Sequence, residues 1–232
     1  MKRFITQLKW EFILLQKNSI IAISFGVTFL YGILLYFFRD SDAIDPLLVS
    51  LILNDPSVIG YFFIALAIYT EMKHDILAAI FTTPINIHTF LLSKTISLSI
   101  VGVICSLGLI IPLKGLDFGI LSFTVGATSI CVLSTLLGLY MLTFANEFLK
   151  FAMLSFPVFI VFVNIPLLEF LDVIDLGFFA YLFPIQGSLD LLSTSIQETQ
   201  INYWLVYTSI LVAIPLFYWL AYRRFSTKVI HK

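Results

Sequence analysis

The chain has 232 residues, of which 60% are hydrophobic and only 12% charged, with a mean hydropathy of +1.03. A typical soluble domain carries about 25% charged residues, so this composition excludes a soluble globular protein and predicts an integral membrane protein. At this length, six spans would leave no room for a separate globular domain. We expect lipid around the chain and no nucleic-acid partner.

The first 18 residues have the pattern of a helix that lies along the membrane surface. Apolar side chains share one helical arc, and most of the lysines lie away from it. We predict an interfacial amphipathic helix over residues 1–18, and a plain positively charged leader is the alternative. The side chains assigned to this helix are Phe4, Leu8, Trp10, Glu11 and Phe12.

Six apolar segments are long enough to cross a hydrocarbon core of about 30 Å. The predicted spans are residues 19–38, 57–75, 92–113, 118–144, 151–168 and 203–222. The second begins after Asn54-Asp55-Pro56, because proline lacks an amide hydrogen and disfavours helix at the residue before it. Residues 47–53 then form a short external or re-entrant piece. Residues 169–200 are too polar to span, and we predict short re-entrant helices in the extracytoplasmic leaflet there.

Basic residues concentrate on one predicted side of the membrane. Of the 13 lysines and arginines, only Arg39 and Lys114 fall on the other side. Since cytoplasmic loops carry the excess of Lys and Arg, both termini are predicted to be cytoplasmic. Ten of the 14 acidic residues, Asp55 among them, are assigned to the external side. The centre of every span is therefore predicted to lack an ionisable residue.

The sequence lacks the motifs of enzymes and ion-coupled carriers. The nearest approach to a P-loop, HTFLLSKT at residues 88–95, has His and Ser where glycines must let the backbone approach phosphate. HExxH and GxSxG are both missing. The predicted absence of ionisable groups at the span centres disfavours an ion-coupled carrier or a charged channel. Cys105 and Cys131 lie alone in apolar runs, so we expect buried thiols and no metal or other cofactor.

A mixed-charge segment, residues 71–94, separates the second and third predicted spans. The apolar run before it, residues 58–70, is too short to cross the membrane, so the second helix is predicted to continue into the segment. A Thr-Thr-Pro break at 82–84 would end that helix, and Asn86 or Thr89 would cap the next one. Lys94 is predicted to extend its side chain to the headgroups. The segment could transmit a displacement from a cytosolic partner, and an ordinary solvated loop is the alternative.

The same segment carries a resemblance to a known family. Glu71, the helix after it, Thr83-Pro84-Ile85 and Leu91-Leu92-Ser93-Lys94 resemble the pattern between spans two and three of ABC-2 type permeases. The N-terminal helix, the six spans and the basic C-terminal tail are similar to that family too, so the resemblance covers essentially the whole chain. Residues 55–70 and 182–187 look more closely like bacterial fluoroquinolone export permeases.

The resemblance implies a single all-α transmembrane domain over residues 1–232, with six spans and an interfacial N-terminal helix. It implies the permease subunit of an ATP-driven exporter of a small hydrophobic or amphipathic, drug-like compound in the bacterial cytoplasmic (inner) membrane. The partners would be a cytosolic ABC ATPase and a second permease subunit, identical or different. Coupling to the ATPase, without any catalytic role, would fall on Glu71, Asp75, Thr82, Thr83, Pro84 and Lys94.

Two other functions are open at this point. A non-transporting membrane scaffold or sensor would use residues 71–94 to dock a cytosolic partner, with no pathway behind the dock. A related permease could export heme or a lipid-linked glycan. Heme handling would favour exposed His or Trp on the outer side, where only Trp204 lies. A Walker A motif in the neighbouring reading frame would favour the exporter over the scaffold.

Overall fold

The computed structural model describes residues 2–41, 43–74, 76–77, 80, 86–197 and 199–230. Within these ranges the chain forms the α-helices α1 (Lys2–Lys17), α2 (Ile20–Phe37), α3 (Ile44–Lys73), α4 (Ile87–Lys114), α5 (Ile120–Leu142), α6 (Phe148–Phe159), α7 (Ile165–Phe170), α8 (Gln186–Gln197) and α9 (Tyr203–Phe225). Two π turns, Ile160–Asn164 and Ser226–Ile230, and the 3-10 turn Gly177–Leu182 complete the described elements.

Six helical stretches of the described chain are long and apolar enough to cross a membrane. They are Ile20–Phe37, Ile44–Lys73, Ile87–Lys114, Ile120–Leu142, Phe148–Phe170 and Tyr203–Lys228. The fifth is composite, since α6 continues through a π turn into α7. The predicted all-α fold class with six spans is therefore confirmed, and the protein is a multi-pass membrane protein.

Helix α3 differs from its prediction. It begins at Ile44 and runs through Pro56 without a break, so residues 47–53 belong to a membrane helix and not to an external piece. Side chains supply hydrogen bonds beside the proline: Asn54 and Ser57 each donate to the carbonyl four residues earlier, at 2.9 and 2.6 Å. The helix of 30 residues is about 45 Å long at 1.5 Å per residue.

The longer helix places Asp55 inside the bundle. Its side chain is only 4% exposed, and the hydroxyl group of Thr28 in α2 donates a hydrogen bond to Asp55 Oδ2 at 3.0 Å. The prediction that no ionisable residue lies within a span was therefore wrong. Because a carboxylate in an apolar interior is costly, such a position is a candidate functional position.

Helix α4 begins at Ile87, five residues before the predicted span over residues 92–113. Asn86 is its N-cap, as one of the two predicted alternatives proposed: the Asn86 side chain accepts a hydrogen bond from the His88 amide at 3.2 Å. The cap satisfies an amide group that would otherwise lack a partner in the first turn. With α4 beginning at Ile87, only residues 74–86 separate it from the end of α3 in the sequence.

The segment between spans five and six packs into the bundle. Leu189, Leu192 and Ile196 of α8 are buried in the main core, and α8 contacts α5 and α9. Gly126 of α5 permits the close approach, because an added Cβ there would lie 3.0 Å from the Ser188 carbonyl oxygen. The position of this segment in the extracytoplasmic leaflet stays a prediction.

Helices α3 and α5 form the centre of the bundle, where their backbones touch. An added Cβ on Gly138 of α5 would lie 2.5 Å from the carbonyl oxygen of Tyr61, and one on Gly60 of α3 would lie 2.6 Å from that of Cys131. Small residues at such crossings let membrane helices pack by direct backbone contact. This contact makes α3 and α5 a rigid pair.

We expect Gly138→Ala to lower the free energy of unfolding by roughly 1–3 kcal/mol, because the two backbones must separate. Gly26→Ala in α2 is the control, since an added Cβ there meets nothing within 4 Å. Thermal unfolding in detergent is followed by a thiol-reactive dye, which labels the buried Cys105 and Cys131 only as they become accessible. Equal unfolding midpoints for the two variants would contradict the backbone contact.

Candidate functional site

Three charged side chains meet in the interior at one end of the bundle. Lys94 Nζ donates hydrogen bonds to Glu11 Oε2, at 2.9 Å, and to Glu71 Oε1. Each of the three side chains is no more than 2% exposed. We call Glu11, Glu71 and Lys94 the Lys94 cluster.

Each member of the Lys94 cluster comes from a different helix. Glu11 belongs to α1, Glu71 to the last turn of α3 and Lys94 to the second turn of α4. The side chain of Gln7, one turn before Glu11, donates to Glu11 Oε1 at 3.1 Å. The ring of Phe90 lies one turn before Lys94, with its centroid 4.9 Å from Nζ. The cluster therefore joins three helices at one point.

The N-terminal helix reaches the cluster through its packed face. Phe4, Leu8 and Phe12 are half-buried. Glu11, on the same helix, is buried, whereas Trp10 is 58% exposed. The helix contacts α2 and α4. The predicted helix is thus present with the predicted apolar face, and its location in the membrane interface stays a prediction.

The electrostatics of the Lys94 cluster are unbalanced. With both carboxylates ionised, it holds one more negative than positive charge, and Glu71 Oε2 is buried without a hydrogen-bond partner among the described residues. Burying charge is costly, and only a close cation with good geometry offsets the cost. Lys94 is that cation for both carboxylates, so the three helices depend on it jointly.

The cluster also closes a loop in the chain. Glu71 lies just before residues 74–86, and Lys94 lies just after them. The ion pair therefore joins the last turn of α3 to the second turn of α4, on either side of this segment, and Glu11 joins both to α1.

The structure brings together two of the six residues predicted for coupling. Glu71 and Lys94 are in direct contact, whereas Asp75, Thr82, Thr83 and Pro84 lie outside the described residues. The expectation that Lys94 reaches the headgroups was wrong, because two carboxylates hold its ammonium group in the interior.

The sequence analysis missed Glu11 as the partner of Lys94. A signal for it was present: an acidic residue lies at helical spacing with Leu8 and Leu15 on the apolar face of α1, where a charge needs a buried partner. Which residue supplies that partner depends on the packing of α1 against α4, which no local pattern specifies.

Helix α9 is fastened to the same end of the bundle. His88 Nδ1 in α4 lies 2.7 Å from the Tyr218 hydroxyl, and the His88 ring stacks on Tyr222 with centroids 4.1 Å apart. The guanidinium group of Arg224 lies 5.0 Å from the centroid of Phe144. The basic end of α9 therefore lies beside the start of α4.

The opposite end of α4 carries a second ion pair. Lys114 Nζ donates to Asp45 Oδ2 at 2.9 Å and to the Ile196 carbonyl at 2.8 Å, which joins α4 to α3 and α8. The side chains of Lys114 and Asp45 are 25% and 30% exposed, unlike those of the Lys94 cluster. The two ion pairs use the same two helices and differ chiefly in burial.

Outside the spans, α8 holds a half-buried carboxyl group, that of Asp190. Gln186 Nε2 donates to Asp190 Oδ1 at 3.0 Å. Burial raises the pKa of Asp190 above its usual range, and the hydrogen bonds from Tyr181 and Gln186 oppose this rise. Burial, together with the nearby Asp190, raises the pKa of Tyr181 to about 12. Through Tyr181 and Gln186, the Asp190 carboxyl group connects α8 to the 3-10 turn before it.

Comparison with known proteins yields one family. The sequence model of the fluoroquinolones export permease protein family matches residues 2–232 of the chain. The match covers all nine helices of the described chain and the segment between α3 and α4, and it confirms the resemblance to export permeases of this kind. No curated protein sequence matches the chain.

We expect Lys94→Met to lower the free energy of unfolding by about 3–5 kcal/mol, because it leaves two buried carboxylates without their cation. The matched control is Lys114→Met at the other end of α4, where loss of a partly exposed pair costs about 0–1 kcal/mol. Dye-monitored unfolding in detergent measures both. If Lys94→Met is no less stable than Lys114→Met, the cluster does not hold the helices together.

Proposed function

Because the chain belongs to the fluoroquinolones export permease family, we propose that it is the membrane-spanning subunit of an ATP-driven exporter. A separate cytosolic ABC ATPase supplies the energy, and a second permease subunit, identical or different, completes the pathway. The cargo is a small hydrophobic or amphipathic, drug-like compound. The chain itself binds no nucleotide, in keeping with the failed P-loop at residues 88–95.

The observation that carries the proposal is the Lys94 cluster. An ATPase acts on a permease by displacing a segment on the cytoplasmic side, and that displacement must reach the membrane helices. The Lys94–Glu71 pair joins α3 to α4 on either side of residues 74–86, so we infer that pushing this segment moves the two helices as one unit. A free loop would instead absorb the displacement by local rearrangement.

The distribution of charge supports a cytoplasmic position for the cluster. The stacking of His88 on Tyr222 brings the end of α9 to the start of α4. Basic residues therefore collect at this end: Lys9 and Lys17 of α1, Lys73 of α3, and Arg223 and Arg224 of α9. The excess of Lys and Arg favours the cytoplasmic side, in the inner membrane of a bacterium, with both termini inside.

The proposal is tested in liposomes that contain the chain and an ABC ATPase that purifies with it. We expect Glu71→Gln to reduce drug-stimulated ATP hydrolysis at least about fivefold, since a coupling free energy of 1–3 kcal/mol corresponds to factors of 5–150. The side-chain shape is kept, so the assembled complex should still purify. Asp45→Asn is the matched control, because it neutralises the acid of the ion pair at the other end of α3 and α4.

Two results would count against this function. If no ATPase purifies with the chain, the exporter is excluded and the membrane scaffold or sensor becomes the better account. If drug stimulates ATP hydrolysis equally in the Glu71→Gln and Asp45→Asn complexes, the chain can still be an exporter subunit. The Lys94 cluster then does not transmit the work of the ATPase.

A further inference from the structure

A groove of about 690 Å³ opens between α2 and α4. It extends along α2 from Phe25 and Thr28 to Phe37 at the end of that helix, and Gly108 and Pro112 line it from α4. This volume lies within the range of about 300–1,000 Å³ that is typical of small-molecule sites. The groove is therefore large enough to hold a drug-sized molecule.

Two glycines keep the groove open. An added Cβ on Gly32 would meet nothing within 4 Å, and one on Gly108 would meet only the Thr28 methyl group, at 3.7 Å. The space is bounded by aromatic rings, with Phe25, Phe29 and Tyr36 on α2. Rings around an unfilled space favour an apolar, ring-containing occupant.

A buried carboxylate lies behind one end of the groove. Thr28 lines the groove, and its hydroxyl contacts Asp55 Oδ2 at 3.0 Å, so a single side chain separates the space from the charge. The other ionisable groups that interact electrostatically with Asp55 are Tyr31 of α2, Cys105 of α4 and Cys131 of α5. None of these is a cation, and no Lys, Arg or His of the described chain forms an ion pair with Asp55.

Outside the groove, a cation lies beside Tyr36, one of the aromatic residues that line it. The guanidinium group of Arg39 lies 4.9 Å from the centroid of Tyr36, and Arg39 pairs with Asp40 at 3.5 Å. Its charge is thus locally compensated, and the contact is of the kind that a ring face makes with a cation. The groove combines cation-binding rings with an unpaired carboxylate.

We propose that the groove between α2 and α4 binds an apolar organic cation that carries aromatic groups, with Asp55 as its counter-ion beside Thr28. The rings of α2 hold the apolar body, and the positive charge lies at the Thr28 end. Use of the site in export rests on the function proposed above, whereas binding is a property of this chain alone. The two proposals can therefore fail independently.

The test compares two probes of the same shape and opposite charge, tetraphenylphosphonium and tetraphenylborate, by equilibrium dialysis against the purified chain in detergent. We expect the wild-type chain to bind the phosphonium at least about tenfold more tightly than the borate, a difference of 1.4 kcal/mol. Asp55→Asn keeps a side-chain oxygen for the Thr28 hydroxyl and removes the charge, so it should abolish this preference. An unchanged preference in Asp55→Asn would overturn the proposal.

A second pair of variants tests the groove without touching Asp55. Gly32→Leu should fill the space and weaken binding of both probes at least about tenfold. Gly26→Leu on the same helix lies outside the groove, also in open space, and should bind both probes as the wild type does. If Gly32→Leu and Gly26→Leu bind alike, the probe binds elsewhere and the site is wrong. None of these changes lies in the Lys94 cluster, so the ATPase experiment is unaffected.

Discussion

One buried ammonium group holds three helices together at the end of the bundle where α3 stops and α4 starts. Lys94 reaches carboxylates that lie 83 and 23 residues away in the sequence. Well-packed apolar side chains often stabilise a protein as well as a buried ion pair does, so stability alone is a weak reason for such a cluster. We propose that the ion pair adds a defined register, because the ammonium group must face both carboxylates and this limits how α1, α3 and α4 can meet.

That register extends along α3 to the centre of the molecule. Glu71 and Asp55 lie on the same helix, about 24 Å apart at 1.5 Å per residue. Between them, α3 presses its backbone against α5 at Gly138, a contact with no slack for sliding. A displacement at residues 74–86 would therefore move α3 as a rigid element and carry Asp55 relative to the groove on α2. The proposed coupling segment and the proposed cation site are thus linked by one helix.

The sequence predicted the helices better than the contacts between them. Six spans and the N-terminal helix followed from hydropathy and periodicity, which are local properties of the chain. The start of α3 was missed because proline was taken to end a helix, whereas α3 runs through Pro56 without a break, as membrane helices tolerate. Because of that error, Asp55 was also predicted to lie outside the membrane. The Glu11–Lys94 pair was missed because it depends on how α1 packs on α4, a tertiary contact with no counterpart in local pattern.

The central claim, that the ends of α3 and α4 move as one unit, is tested most directly by a distance. Met72 of α3 and Leu92 of α4 are 39% and 41% exposed, so cysteines placed there can carry spin labels, while Cys105 and Cys131 are buried. Double electron–electron resonance would measure the distance between the labels in a complex with the proposed ATPase, without nucleotide and with trapped ATP. We predict a change no larger than about 2 Å, the upper end of typical helix shifts at an interface, and a broadened distribution in Lys94→Met. A shift of several ångströms in the intact cluster would contradict the account.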